Sequence, residues 1–434
     1  MAASTDAIRR ALSMGLVKSR QLVEKTGFSQ ATVSRALTEM GQDVVRLGAG
    51  RSMQYALRDR SRGYPEVPIY RVSEHGQLSE LGRLIPVRPL GFVMVRPDRP
   101  AWHSEGLPWW MLDMRPQGFL GRAYAIRHAP ALGLPVDVEQ WSDAHVMHAL
   151  LHQGHEAVGN LLVGERAREL FLQMSEPVPV DRQASYPALA RAAAAGESPG
   201  SSAGGEQPKF GAYTDRGHVL VKYSAPDDNA VSERWRDLLC AEHHALAVLG
   251  TSSRVVDGGG QRFLEVPRFD RAGALGRIGV FSLRALDAEF VGRRHEPWPV
   301  LVQALADMGV VQPQAVQKAA LWWAFGALTG NTDMHAGNLS FIRSHGRPYR
   351  LAPVYDMLPM GFAPNRFGEL SQTLQPIEWA AFIPGPVWVE AHRLARAYLG
   401  RLQAEPALSS GFAPCLQALQ QHLAWAQTRI LRLA

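Results

Sequence analysis

Cysteine is nearly absent: Cys240 and Cys415 are the only two in 434 residues. Two thiols build neither a disulfide framework nor a zinc site, and a reducing cytoplasm is the natural home of such a chain. Long apolar runs are missing too. The nearest approach, around Ala320 to Leu328, contains two Trp and falls far short of the roughly 20 residues a membrane span needs. No signal-peptide pattern opens the chain, because Arg9, Arg10 and Lys18 interrupt it. Net charge is scarce over most of the length. Residues 1–60 hold ten Lys/Arg against five acids, which accounts for nearly all of the chain's +6. The basic character therefore belongs to a small N-terminal unit, and its simplest partner is a polyanion such as nucleic acid.

What is present reads as an ordinary globular protein, 46% hydrophobic and 20% charged, long enough for two to four domains. Residues 4–17 repeat Ile8, Leu12 and Leu16 at helical spacing. Residues 19–25 form a second, short helix, and Thr26-Gly27-Phe28 a tight turn. Ser29 then caps a third helix, Gln30 to Met40, with Val33, Leu37 and Met40 inward. Its other face presents Ser29, Gln30, Thr32, Ser34 and Arg35, which suit base edges and phosphates. A hairpin follows, Asp43 to Leu47 and Met53 to Leu57, with Arg51 at its tip. This is the plan of a winged helix-turn-helix DNA-binding domain over 1–60; three small helices are also a plain packing module.

Residues 61–66 read as a linker and 67–175 as a small α+β domain without evident chemistry. Pro68–Val72, Gly82–Pro86 and Gly91–Val95 are its expected strands, and Leu107 to Leu120 is buried and partly helical. His145, His148, His152 and His155 fall at helical spacing, but no acid or cysteine with ligand spacing accompanies them. They read as a helix face and not a metal site.

Residues 181–434 carry the chemistry. After an alanine-rich helix, Ala188 to Ala195, a Gly/Ser-rich stretch over 200–209 ends in Gly204-Gly205-Glu206-Gln207-Pro208-Lys209. Such a loop turns backbone N–H groups toward phosphate oxygens or acts as a flexible linker. Lys222 lies in an apolar strand and needs an anionic partner; the helix from about Val231 to Leu249 offers Glu233 or Glu242, of which Glu242 is preferred. The strand Arg262–Val266 runs into Pro267-Arg268-Phe269, a stiff connector suited to bind adenine through its backbone. Residues 330–340 place Asp333 five positions before Asn338, and 353–358 end a strand-like segment, Tyr349 to Tyr355, in Asp356. Asp333 can take a proton from an attacking hydroxyl. Asn338 and Asp356 offer the hard oxygens that Mg²⁺ prefers beside ATP phosphates. The same residues also suit an ordinary polar turn. Helices beyond Val387 bring Trp388, Leu394, Leu399, Leu416, Leu419 and Leu423 to a core.

Glycine loop, strand lysine, acidic helix, connector, acid-plus-Asn loop and terminal Asp follow the order of parts in a protein kinase. Two departures stand out: Asp333 precedes His335, and Asp356 lies in Tyr355-Asp356-Met357. With Ser202–Lys209, Arg268-Phe269-Asp270-Arg271, Gly330–Asn338 and Pro353–Asp356, the chain resembles the HipA family of bacterial serine/threonine kinase toxins. Leu112–Gly118 and Gly154–Gly159 look like a looser version of that family's N-terminal subdomain. The basic unit at 1–60 makes the chain similar to the YjjJ-like (HipH) branch.

The resemblance implies an α+β multidomain chain with a two-lobed kinase-like domain and a helical C-terminal lobe. It makes Asp333 the general base and Asn338 with Asp356 the Mg²⁺ ligands. Gly204, Gly205, Glu206, Gln207, Lys209, Lys222, Pro267, Arg268, Phe269, His335, Asn338, Tyr355 and Asp356 become the ATP site. It places autophosphorylation at Ser202, with Ser201 adjacent. Met334 stands where the family frequently has arginine. The implied activity is ATP- and Mg²⁺-dependent phosphorylation of a protein on Ser/Thr, by family precedent a translation factor such as an aminoacyl-tRNA synthetase. The expected toxin is cytoplasmic and has no membrane partner. It binds DNA, perhaps its own promoter, and dimerisation is a prior for a winged helix. A transcription regulator with a catalytically silent kinase-like sensor, or a small-molecule kinase, are the competing functions.

Overall fold

The computed structural model describes residues 2–64, 66–196, 205–343 and 346–432. The first unit comprises α1 (Ala2–Ser13), β1 (Val17–Lys18), α2 (Ser19–Thr26), α3 (Gln30–Glu39), β2 (Val44–Leu47) and β3 (Gln54–Leu57). The three strands form one sheet in the order β1-β3-β2. Ile8, Leu12, Leu22, Val33, Leu37 and Met40 make its core. Gly27, at φ +72°, ends α2 in a left-handed turn that a side chain would resist. Ser29 caps α3 by accepting from the Thr32 N–H. The first helix stops at Ser13, four residues before the expected end, because Gly15 breaks it with φ +136° and Val17 pairs with Tyr55.

The second unit is a five-stranded antiparallel sheet in the order β7-β6-β5-β4-β8. Its strands are β4 (Val67–Val72), β5 (Leu78–Pro86), β6 (Phe92–Arg96), β7 (Arg99–Ser104) and β8 (Leu161–Val163). Helices α4 (Gly118–Leu132) and α5 (Asp143–Gln153) share one core with it, including Ile69, Phe92, Trp141, Val146 and Leu150. The short helix α6 (Gly164–Leu172) follows β8. Strand β7 was not expected. Its proline and charges conceal it, and both are tolerated because it is an edge strand. On the opposite face Ile85, Val87 and Val93 pack against Val45, Leu47 and Ala56, seating the first unit on this sheet.

The third unit has two lobes. In the small one, α7 (Arg182–Ala194) and α8 (Ala230–Val248) accompany β9 (Lys209–Thr214), β10 (Gly217–Tyr223), β11 (Arg254–Gly258) and β12 (Gln261–Pro267). The sheet order is β11-β12-β10-β9. Helix α7 begins six residues before the expected start, capped by Asp181, and runs through Pro187. Two short hairpin strands, β13 (Arg271–Ala272) and β14 (Gly276–Arg277), lead to β15 (Gly279–Ser282).

The large lobe holds α9 (Leu283–Phe290), α10 (Trp298–Asp307), α11 (Gln314–Thr329), β16 (Ser340–Arg343), β17 (Arg350–Leu351), α12 (Gly385–Gln403) and α13 (Ala413–Ile430). Trp298, Phe325, Phe341, Trp388, Tyr398, Leu419 and Leu423 are buried in one core with Leu238 of α8, while Leu394 and Leu416 pack on its margin. The expected strand from Tyr349 to Tyr355 is corrected to the two residues of β17. The Ala352 N–H still reaches Ser340 O, but Pro353 has no N–H to continue a ladder. No helix among the described residues is long and apolar enough to cross a membrane.

Candidate active site

A cleft of about 880 Å³ lies where the small sheet, the large lobe and the second unit meet. Gly205, Glu206, Gln207, Lys209, Lys222, Pro267, Arg268, Phe269, Asp333, His335, Asn338, Tyr355 and Asp356 all line it. Gly204, Ser201 and Ser202 lie outside the described residues.

The deep end is cationic. Lys209 and Lys222 face one another across the β9–β10 ladder, and both are buried. Two like charges so placed repel, and acids hold them. Lys222 Nζ donates to both oxygens of Glu242, at 2.6 and 2.7 Å, and contacts the Asp356 carboxylate. Glu242, and not Glu233, is thus the helix partner. Burial opposes the Lys222 charge, but Asp356 and Glu242 outweigh it and raise its pKa. Burial lowers Lys209, with Asp356 acting against it. Burial likewise works against the Asp356 carboxylate, yet Lys222 and Lys209 hold it below the usual range. In Glu242, burial prevails over Lys222 and pushes the carboxyl up. Asp356 is the one non-glycine described at positive φ, +52°, a local strain of the kind that accumulates at working sites.

The open end belongs to the 330–340 loop. Helix α11 ends at Gly330, and Asn331 then ties two loops together. Its side chain accepts from the Asp333 N–H at 3.0 Å and donates to Asp356 O at 3.2 Å. Asn338 donates to Asp333 O at 2.9 Å and lies 3.5 Å from its carboxylate. His335 accepts from the Gly337 N–H, and Trp298 Nε1 holds His335 O at 2.9 Å. The Asp333 side chain stays half exposed, 53%, where an incoming group can reach it. Tyr355 Oη donates to Gly337 O and pairs with Ser340. Met334 brings its sulfur to where a Cβ on Gly326 would be only 2.3 Å away. It acts as apolar packing there.

In the connector expected to meet adenine, one backbone donor is already engaged within the small lobe. The Arg268 N–H is taken by His218 O, at 2.9 Å, and its guanidinium grips both oxygens of Asp270. Phe269 stacks near Tyr355, with ring centroids 5.6 Å apart.

The second unit, read from sequence as chemically silent, forms a third wall with Asp113, Arg115, Gln117, Gly118 and Glu139. Asp113 accepts from the Ser282 N–H and hydroxyl, and burial raises its carboxyl. The Phe119 N–H donates to Gly205 O at 3.0 Å, and Arg122 pairs with Glu206 at 2.7 Å. Gly118, at φ +60°, leaves 2.5 Å between a would-be Cβ and Gly205 O. Gly118→Ala therefore has to strain its backbone by about 1–2 kcal/mol or push the loop away. Binding of a nucleotide probe in the cleft is expected to weaken about tenfold; an unchanged Kd in a fluorescence titration would show that this contact does not shape the loop. Asp113, Arg115, Gln117 and Gly118 fall in the Leu112–Gly118 stretch that carried the family resemblance, but nothing local in the sequence shows that they face the cleft, because they come from a different unit.

Of the expected DNA contacts, Ser29 and Thr32 bond to each other in the α3 cap, and Gln30 donates to Ser19. Ser34 and Arg35 face solvent. Arg51 sits in a turn at 50–52, and its side chain lies outside what is described.

Comparison with known proteins adds the following. A family model for the YjjJ-like toxin middle domain matches residues 64–172, and one for the HipA-like C-terminal domain matches 201–396. Toxin YjjJ of Escherichia coli (strain K12) is 36% identical over 437 residues, spanning 97% of this chain and 98% of that protein. Among solved structures, the toxin–antitoxin complex of HipA, HipB and operator DNA from Shewanella oneidensis MR-1 contains a similar chain. It aligns with a TM-score of 0.53 at 16% identity, over 85% of this chain and 98% of that one, a likeness of fold.

Proposed function

Since the chain belongs to the YjjJ toxin family, we propose that it is an ATP-dependent serine/threonine protein kinase that acts as a toxin and carries its own DNA-binding domain. One observation carries the reading. Two buried lysines, an Asn–Asp pair and a half-exposed aspartate converge on a single cleft. Lys209, Lys222 and the loop at 205–207 suit the phosphates of ATP, while Pro267, Phe269 and Tyr355 suit its base. Asn338 and Asp356 supply an all-oxygen donor set that fits Mg²⁺. That ion would neutralise charge on the phosphates when bound. Asp333 takes the proton of the acceptor hydroxyl as its oxygen bonds to the γ-phosphorus, and the bond to the β-phosphate oxygen breaks to release ADP. His335 braces the loop through Gly337, and Asn338 fixes the Asp333 backbone. Ser202 is the proposed autophosphorylation residue, where about two negative charges would disturb the phosphate loop.

Incubation with labelled ATP tests the reading. Label on Ser/Thr of lysate proteins, with none on sugars or antibiotics, is the expected result. Binding of ATP without transfer to any protein would favour a silent sensor attached to a regulator.

Residues 1–60 form a winged helix-turn-helix in this reading, with α3 as the helix that meets DNA, in a protein that works in the cytoplasm and can repress its own promoter. The HipA structure with HipB and operator DNA supports nucleic acid as a partner. Arg35→Ala is expected to weaken binding to the upstream region and to lower the salt slope by about one. Equal affinity at several salt concentrations would remove α3 from the interface.

A further inference from the structure

We propose that Cys240, His244 and Glu405 form a binding site for a zinc-class divalent cation on the flank of α8 away from the cleft. The binding claim stands independently of phosphotransfer. The scarcity of cysteine argued against zinc, but this site requires a single thiol. Cys240 and His244 are four residues apart on α8 and so share one face. Glu405 reaches them from the segment after α12. Their ligand atoms lie within 4.8 Å of one another, the one such group of three among the described residues. His244 Nε2 and the Glu405 carboxylate are already 2.9 Å apart, so two of the three groups are assembled before any ion arrives.

A second observation points to a ligand. His244 Nδ1 is buried without a hydrogen-bond partner, on a residue only 8% exposed. The Tyr398 hydroxyl, fully buried and within electrostatic reach of Cys240 and Glu242, has none either. Buried polar atoms are nearly always satisfied, because leaving one without a partner forfeits its hydration for nothing in return. The unpartnered nitrogen on the His244 ring itself fits a spot where the imidazole offers a free donor atom to an ion or its bound water.

The donor set selects the ion. Sulfur, imidazole nitrogen and carboxylate oxygen suit zinc and its neighbours, whereas magnesium and calcium prefer oxygen alone. Binding exchanges the Cys240 S–H bond for an S–metal bond and releases one proton to solvent. Glu405, with its side chain 21% exposed, provides the entrance. Cys240 and His244 lie on either side of Glu242 in sequence. An ion there pins the turn of α8 that holds Lys222.

Cobalt(II) is the probe, titrated into the full chain under reducing conditions. One equivalent is expected to produce a sulfur-to-cobalt charge-transfer band in the near ultraviolet, which zinc then bleaches. Cys240→Ser should abolish the band, and Cys415→Ser should retain it. Glu405→Ala and His244→Ala should each weaken binding about tenfold or more. Circular dichroism checks that each variant is folded, and Glu405→Ala carries the test if Cys240→Ser is not. Absence of the sulfur band, its survival in Cys240→Ser, or unchanged affinity in Glu405→Ala overturns the proposal. Cobalt held only by surface histidines such as the exposed His152 gives no such band and counts as the negative result.

Discussion

Asp333→Ala is expected to cut transfer of phosphate from ATP to protein by about 10²–10⁴-fold, the span that a positioned general base contributes. The loss should fall on kcat and leave the KM for ATP nearly unchanged, because the lysines and the 205–207 loop lie at the other end of the cleft. The fold should hardly notice. The Asp333 backbone carries the contacts that shape the loop, its N–H to Asn331 and its carbonyl from Asn338. Among the described residues the carboxylate itself makes only long contacts, 3.5 Å to Asn338 and 3.7 Å to His335. A change in unfolding free energy within about 0.5 kcal/mol is therefore expected. Radiolabel transfer and a thermal melt on the same preparation check both halves. Activity retained within tenfold would mean that another group takes the proton.

Asp270→Asn should be the most damaging change to stability, about 3–5 kcal/mol by urea unfolding. Asp270 is buried, 5% exposed. It receives two bonds from Arg268, one from Arg271 at 2.7 Å and one from the Gly159 N–H at 3.2 Å. Arg271 in turn donates to Gly159 O and Ala157 O, so this knot fastens the second unit to the third. Neutralising the acid leaves buried guanidinium groups facing one another. Arg277 already feels this, its pKa pushed down to about 9 by burial and then by Arg271.

The pH dependence of the Asp270 contribution has a definite sign. Burial would raise the Asp270 carboxyl, but Arg268 and Arg271 hold it far below the ordinary 3.8. As pH falls, the unfolded chain takes up the proton first. The contribution is therefore complete above the ordinary value and fades as pH drops toward the folded one. The gap between wild type and variant should stay constant from roughly pH 5 to 8 and shrink below about 4. A gap that widens on acidification would contradict this assignment.

Much of the site was legible because its parts are short, local signals. The Asp333–Asn338 spacing sits within one loop, and Asp356 follows closely behind. The order in which a chain presents such pieces does not depend on how they pack. What stayed hidden were relations between pieces. Glu233 and Glu242 are nine residues apart, and at 3.6 residues per turn that puts them on opposite sides of α8. Only the rotation of the docked helix makes Glu242 the partner of Lys222. Nor does the sequence show that, within the connector, the His218 carbonyl holds the Arg268 N–H.

By itself, then, the sequence determined the inventory of reactive groups, the three units that carry them and the basic bias of the first. Periodicity, caps and charge counts are written residue by residue. The tertiary structure alone decided that the second unit walls the cleft, that Gly118 and Phe119 press on the loop at Gly205, and that Asp270 joins two units. Those outcomes depend on which surfaces bury one another, and that is a balance struck over the whole chain.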